Sequence, residues 1–319
     1  MQAFHRIAAF AAASLFVAGA WAQTAVPPAG AGQAKVRGLA IAEKKWTGDF
    51  DGMKERRMIR VLVPYSRTLF YNDKGRERGL TAENVRDFER WINQKYAKEL
   101  GKRPITVYII PTTRDELIED VAGGHGDIAA GNLTVTEERL KLVDFVAPED
   151  LKTVNELVVS RAPLATADEL SGKTVHVRPS SSYFRSLEAL NQRLKQAGKA
   201  PATLVQVPDE LEDEDMMEML NAGLLEFIVV DDWKARVWSQ VLPGIKVNEG
   251  AIVREGGRVG WAVRKGSPKL EAELNAFYTD YLKKQGVLAY RYKQQAARIK
   301  QIKNNAADAE YRKFLATLE

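Results

Sequence analysis

Short apolar runs bounded by turn residues alternate with helix-length segments along most of this chain, and that alternation constrains its folding more than any other feature. Ile59 to Pro64 reads as a strand, Ala82 to Leu100 as a helix, Ile105 to Ile110 as a strand and Asp115 to Ala122 as a helix. Asp127 to Ala130, after the Gly123, Gly124, Gly126 cluster, suits another buried strand. A second block has strands at Val154 to Ser160, Thr174 to Val177, Leu204 to Val207 and Phe227 to Val230, with helices at Ser182 to Gln196 and Asp213 to Ala222. Strands separated by helices pair in parallel through crossovers, so an α/β architecture with helices on the sheet faces is predicted. A last strand, Val259 to Val263, and the helix Lys269 to Gln285 would complete the first block's sheet.

At 319 residues the chain is long enough for about two domains. Its 47 basic and 42 acidic residues are nearly balanced and interspersed, which gives a nucleic-acid partner little support. His5 and Arg6 precede the apolar run Ile7 to Val17, and Ala20, Trp21, Ala22 form a small-x-small cleavage pattern, so residues 1–22 are expected to be a signal peptide directing export to the periplasm. Residues 23–50, rich in Ala, Pro and Gly at their start, are expected to be a flexible leader. The absence of cysteine excludes disulfides and thiolate catalysis, and it removes the residue that a lipid anchor would need after the signal.

The stretch GNLTVTEERLKLVDF, Gly131 to Phe145, follows a buried strand and opens a helix. Thr136 suits an N-cap, and free backbone N–H groups at a helix start favour an anion. Arg139 adds a planar donor fork, although on the local pattern alone a solvated helix charge is the commoner fate. Ser180, Ser181, Ser182 and Tyr183 mark a second helix start, where capping and ligand contact are both open. Tyr65, Phe70 and Tyr71 lie in one loop beside Asn72, Asp73 and Gly75. The acidic run Glu210 to Asp215 reads as a solvated helix entry, and the basic stretch Arg291 to Lys303 as a solvated helix end. His125 and His176 are a poor basis for a metal site, and no nucleophile elbow, Walker loop or dinucleotide fingerprint is present, so neither a metal, a cofactor nor a catalytic residue is expected.

Four segments carry a family resemblance: Ile59 to Leu80, Asp115 to Phe145, Glu169 to Leu187 and Leu224 to Trp233. Together they resemble the bacterial extracellular solute-binding proteins of family 3. That resemblance implies a type II periplasmic-binding-protein-like fold: two α/β lobes, each a mostly parallel sheet flanked by helices, joined by two crossing strands. Lobe 1 would take residues 51–155 and 259–295, lobe 2 residues 156–258, and a helical tail or linker residues 296–319. Hinges would fall near Thr153 to Leu157 and Gly257 to Gly260.

The resemblance implies that Thr134 and Arg139 grip a carboxylate, with Asn132 and Leu133 lining the turn before them. It implies that Ser181, Ser182 and Tyr183 face the ligand from the other lobe and that Asp231 receives an amino group. At least one of Tyr65, Phe70 and Tyr71 would stack on the ligand. Thr81 departs from the pattern, because many amino-acid receptors carry aspartate there. Trp261 to Tyr278 and Ala297 to Glu319 are further similar to the end of the solute-binding module and the linker of membrane-bound lytic murein transglycosylase F, whose catalytic domain follows. The expectation is therefore a non-catalytic, monomeric module that binds an amino acid or muropeptide. Its protein partner would be a murein-cleaving domain or an ABC transporter permease.

Overall fold

A computed structural model describes residues 44–308; the expected signal peptide lies outside the described residues. In chain order the first lobe has α1 (Phe50–Arg56), β1 (Met58–Pro64), β2 (Tyr71–Asp73), β3 (Arg76–Arg78), α2 (Leu80–Lys95) and α3 (Ala97–Leu100). It continues with β4 (Thr106–Thr112), α4 (Glu116–Gly123), β5 (Ile128–Thr134), α5 (Glu137–Leu142) and β6 (Val143–Val146). The second lobe holds β7 (Val154–Ser160), β8 (Thr174–Val177), α6 (Ser182–Gln196), β9 (Thr203–Gln206), α7 (Asp213–Asn221), β10 (Phe227–Asp231), α8 (Asp232–Ser239) and β11 (Lys246–Gly257). The chain then returns through β12 (Val259–Arg264), α9 (Pro268–Phe277) and α10 (Val287–Asp308).

The first sheet runs in the order β4-β1-β5-β12-β6. β1 is parallel to both β4 and β5, as helical crossovers dictate, while β12 is antiparallel to β5 and β6. β1 is buried along nearly its whole length, so its sequence MIRVLVP reads as a continuous apolar run broken by Arg60 alone. Arg60 survives there because its guanidinium meets Asp127 at 3.1 Å and the Gly124 carbonyl at 2.8 Å. Phe88, Ile92, Leu270, Leu274 and Phe277 pack α2 and α9 into one core with the sheet. Full burial of a ring such as Phe88 contributes about 1.5–3 kcal/mol.

The second lobe departs from the expected mostly parallel sheet. Its three-stranded sheet β10-β7-β11 is antiparallel throughout, and parallel pairing is confined to β8 and β9. The reason is topological: β7 carries the chain into this lobe and β11 carries it out, so as neighbours they must run in opposite directions. The two connections meet where Gly257 pairs with Val154 and the Val135 N–H donates to the Arg258 carbonyl at 2.8 Å. That meeting point places the end of β5, and therefore Thr134, against the crossover.

α10 does not follow the expected division at residue 296, since it continues without a break through that position. Its basic face is only partly left to solvent: Lys293 and Lys300 are exposed, but Arg291 and Arg298 are not. Arg291 pairs with Asp87 and Arg298 with Glu83, both on α2, while Ile299 is buried in the core of the second lobe. The Tyr292 ring meets Trp233 edge-on, with centroids 5.2 Å apart. The helix thus straps one lobe to the other.

Candidate functional site

The last residues of β5, Gly131 to Thr134, pair irregularly with β12, and Asn132 there adopts φ 53°, a left-handed conformation that asparagine tolerates better than most residues. A Cβ at Gly131 would lie 2.8 Å from Leu117 Cδ1, so any larger residue there would have to displace that side chain. The Thr136 hydroxyl then accepts from the Arg139 N–H at 3.3 Å, capping α5 as expected. This cap turns the Arg139 side chain back toward the cleft. Its guanidinium donates to the Thr134 carbonyl at 2.8 Å and, across the lobes, to the Ser180 carbonyl at 3.1 Å. Among the described residues no carboxylate lies within ion-pairing distance of it. Desolvation, reinforced by the neighbouring charge of Arg114, pushes its pKa down to about 10. It is a partly buried cation facing carbonyl oxygens without a counter-ion.

Ser181 caps α6, accepting from the Phe184 N–H at 3.3 Å and donating to the Arg178 carbonyl at 2.7 Å, so its hydroxyl is already occupied. Ser182 Oγ reaches across to Thr134 Oγ1 at 3.3 Å. Asp231, at the end of β10, is buried. Asn132 Nδ2 approaches its Oδ2 at 3.4 Å, and its backbone N–H donates to the Tyr183 hydroxyl at 3.2 Å. Oδ1 has no partner among the described residues. Burial pushes this carboxyl up to about 6; Lys234 opposes the shift, and Asp213 and Glu156 add to it. Tyr183 is structural in part, donating to Asp213 Oδ2 at 3.1 Å. Asn132, Leu133, Thr134, Arg139, Ser181, Ser182, Tyr183 and Asp231 therefore line one cleft.

The aromatic loop does not join them. Phe70 is buried in the core of the first lobe, Tyr65 is exposed, and Tyr71 lies half-buried on the β2–β3 ribbon. The backbone closes on itself here, with Ser66 N–H donating to the Phe70 carbonyl at 2.7 Å, and this turn aims Phe70 inward.

The acidic run is the larger correction. Glu212, Asp213 and Glu214 are buried where a solvated helix entry was expected. Glu212 takes a two-pronged pair from Arg114 at 2.6 and 2.8 Å, and Arg114 also donates to the Gly131 carbonyl at 2.8 Å. Asp213 is held by Arg178 and by Lys234, the latter at 2.5 Å. Burial opposes ionisation of Asp213, but Lys234, Arg178 and Arg114 together hold its carboxyl well below the ordinary carboxylate range. Glu214 accepts from Ser66 Oγ at 2.7 Å and from the Thr68 N–H at 3.1 Å. The Glu212 and Glu214 contacts latch the lobes together, whereas the Asp213 pairs lie within the second lobe. With the latch closed, the cleft volume is about 20 Å³, room for one water molecule.

Two lobes joined by a crossover, with a buried cation and a buried carboxylate facing one cleft, define a solute-binding protein. The chain belongs to the bacterial extracellular solute-binding proteins, family 3, which it matches over residues 59–295. It is 27% identical over 212 residues to a membrane-bound lytic murein transglycosylase F of Desulfosudis oleivorans, a match that covers 66% of this chain and 44% of that protein. It is also 26% identical over 247 residues to the L-cystine-binding protein TcyJ of Escherichia coli, covering 76% of this chain and 84% of that protein. The chain spans less than half the length of the transglycosylase. Among solved structures, an arginine-bound amino-acid transporter substrate-binding protein, AbpA, of Streptococcus pneumoniae shares the fold with a TM-score of 0.62 at 18% identity, over 77% of this chain and 98% of that one. The L-cysteine solute receptor of Neisseria gonorrhoeae gives 0.59 at 23% identity, over 78% and 93%. Among the described residues, no helix is long and apolar enough to cross a membrane.

Proposed function

We propose that this chain is an exported binding module that closes its lobes over a small solute with an anionic or zwitterionic head, amino-acid-like or muropeptide, and that closure regulates a lytic transglycosylase. The observation that carries the reading is the opposition of Arg139, a cation without a carboxylate, to Asp231, a carboxylate with an unpaired oxygen. A ligand carboxylate would replace the Ser180 carbonyl on Arg139, and a ligand ammonium would take Asp231 Oδ1. Each pairing supplies the charge that burial has left uncompensated, inside a cleft whose low dielectric strengthens it. Closure then follows from binding, because the ligand favours the state in which both jaws reach it. The connections at Val154 and Gly257 are where that motion would hinge. The likeness to lytic transglycosylases supports the regulatory role.

The test is calorimetry of free amino acids and of muropeptides against the wild type and Arg139→Ala. Binding that Arg139→Ala abolishes sustains the clamp, whereas equal affinity in both proteins sinks it. Delivery of solute to an ABC transporter permease is a second reading, supported by coverage of most of a cystine-binding protein. A pull-down of murein hydrolases and permeases in the presence of the bound solute separates the two roles.

A further inference from the structure

A cavity of about 590 Å³ lies on the hinge side of the interlobe space. Trp261 and Phe277 line it from the first lobe, Trp233 and Val237 from α8, and Leu288 and Tyr292 from α10. Cavities of this size with apolar and aromatic walls hold the nonpolar bodies of small organic ligands. Its position relative to the charged cleft is informative. Asn132 lines both spaces and stands 3.4 Å from Asp231. The consecutive residues Asp231 and Asp232 divide between them, one lining the cleft and the other the cavity. Tyr292, on the α10 wall, senses the same carboxylate: burial and the Asp231 charge push its hydroxyl up to about 12.

The cavity has little to offer a cationic side chain. Asp232 is the one carboxylate among its lining residues, and that group is already paired with Arg236 at 2.8 Å. Lys152, also in the lining, adds a positive charge. A large apolar group, by contrast, would exchange water for aromatic surface on several sides.

Resting on the reading that Arg139 and Asp231 hold the charged head, we propose that the hinge-side cavity receives the apolar body of the same ligand. The preferred solute is then an amino acid or short peptide with a bulky aromatic or branched side chain.

The experiment titrates 2-naphthyl-L-alanine, L-alanine and L-arginine into the wild type, Arg139→Ala and two cavity-filling variants on different helices, Val237→Trp and Leu288→Trp. Naphthylalanine is expected to bind the wild type at least about tenfold more tightly than alanine or arginine, by virtue of the apolar area it buries. Either tryptophan variant should erase that preference and leave alanine affinity within about twofold of wild type, since apolar filling removes space and no polar partner. Equal affinity for alanine and naphthylalanine in the wild type overturns the cavity assignment. So does a preference that survives both tryptophan variants, or absence of naphthylalanine binding at millimolar concentration. Affinities unchanged by Arg139→Ala overturn instead the head-group reading, and with it the shared ligand.

Discussion

The charged cleft and the hinge cavity occupy the same interlobe space, yet the first has a volume of about 20 Å³ and the second about 590 Å³. The cleft is crowded by Arg114, Arg178, Lys234, Glu212 and Asp213; the Arg114–Glu212 pair draws the jaws together, while Arg178 and Lys234 hold Asp213 within the second lobe. The cavity walls are rings and aliphatic chains that gain little from closing further, because they find no directional partner across the gap. Buried ions therefore set where the lobes touch, and apolar surface sets where they leave room. On the proposed reading, recognition would divide accordingly, with charge selecting the head of a ligand and shape selecting its body.

The largest test of this contrast removes a charge from the ionic layer that lines the second-lobe side of the cleft. Lys234→Met leaves the buried Asp213 with fewer counter-charges and should lower unfolding stability by about 3–5 kcal/mol in urea titrations. A loss under about 1 kcal/mol would show that these buried ions do not hold the second-lobe wall of the cleft. Arg139→Ala should next weaken zwitterion binding by about 2–5 kcal/mol in calorimetry while leaving the fold intact, because this cation has no protein carboxylate to abandon.

Asp231 sharpens the comparison through pH. Its carboxyl titrates near 6 in the folded protein against an ordinary 3.8, so the native state binds the extra proton between those values. Stability without ligand should therefore fall as pH rises from 3.8 to about 6 and then level off. Asp231→Asn removes that penalty and should stabilise the unliganded protein above the folded pKa by about 1–3 kcal/mol in thermal melts. Affinity for a ligand ammonium should fall as pH drops below about 6, where the wild-type carboxylate becomes protonated. A pH-independent affinity would show that Asp231 does not receive the ligand. The smallest effect is expected at the rim, where Arg67 pairs with Asp215 and Glu218 in partly exposed contacts, and Arg67→Ala should cost about 0–1 kcal/mol in the same urea titrations.

Local pattern made much of this legible. The strands Val154–Ser160 and Thr174–Val177 and the helix Ser182–Gln196 fall where spacing and capping put them, because their signals lie within a few residues. Thr136 and Ser181 act as caps for the same reason. The acidic run misled because a carboxylate's burial depends on its partners. Those of Glu212 and Asp213 are Arg114, 98 residues from Glu212, and Arg178 and Lys234, 35 and 21 residues from Asp213. One local signal was available: Arg178 directly follows the buried strand β8, a place where an unpaired guanidinium is costly. Phe70 misled in the opposite sense, since a loop residue can still be turned into the core by a single bridge to Ser66.

By itself, the sequence determined the alternating α/β order and the helix starts, which depend on local periodicity and residue type; Thr134, Arg139 and Asp231 were singled out by the family resemblance of their segments. Only the tertiary structure decided that the second sheet is antiparallel, that an acidic stretch becomes an interlobe latch, and that α10 helps to wall an apolar cavity. Each depends on groups far apart in the chain, whose interaction exists only after the lobes have closed around them.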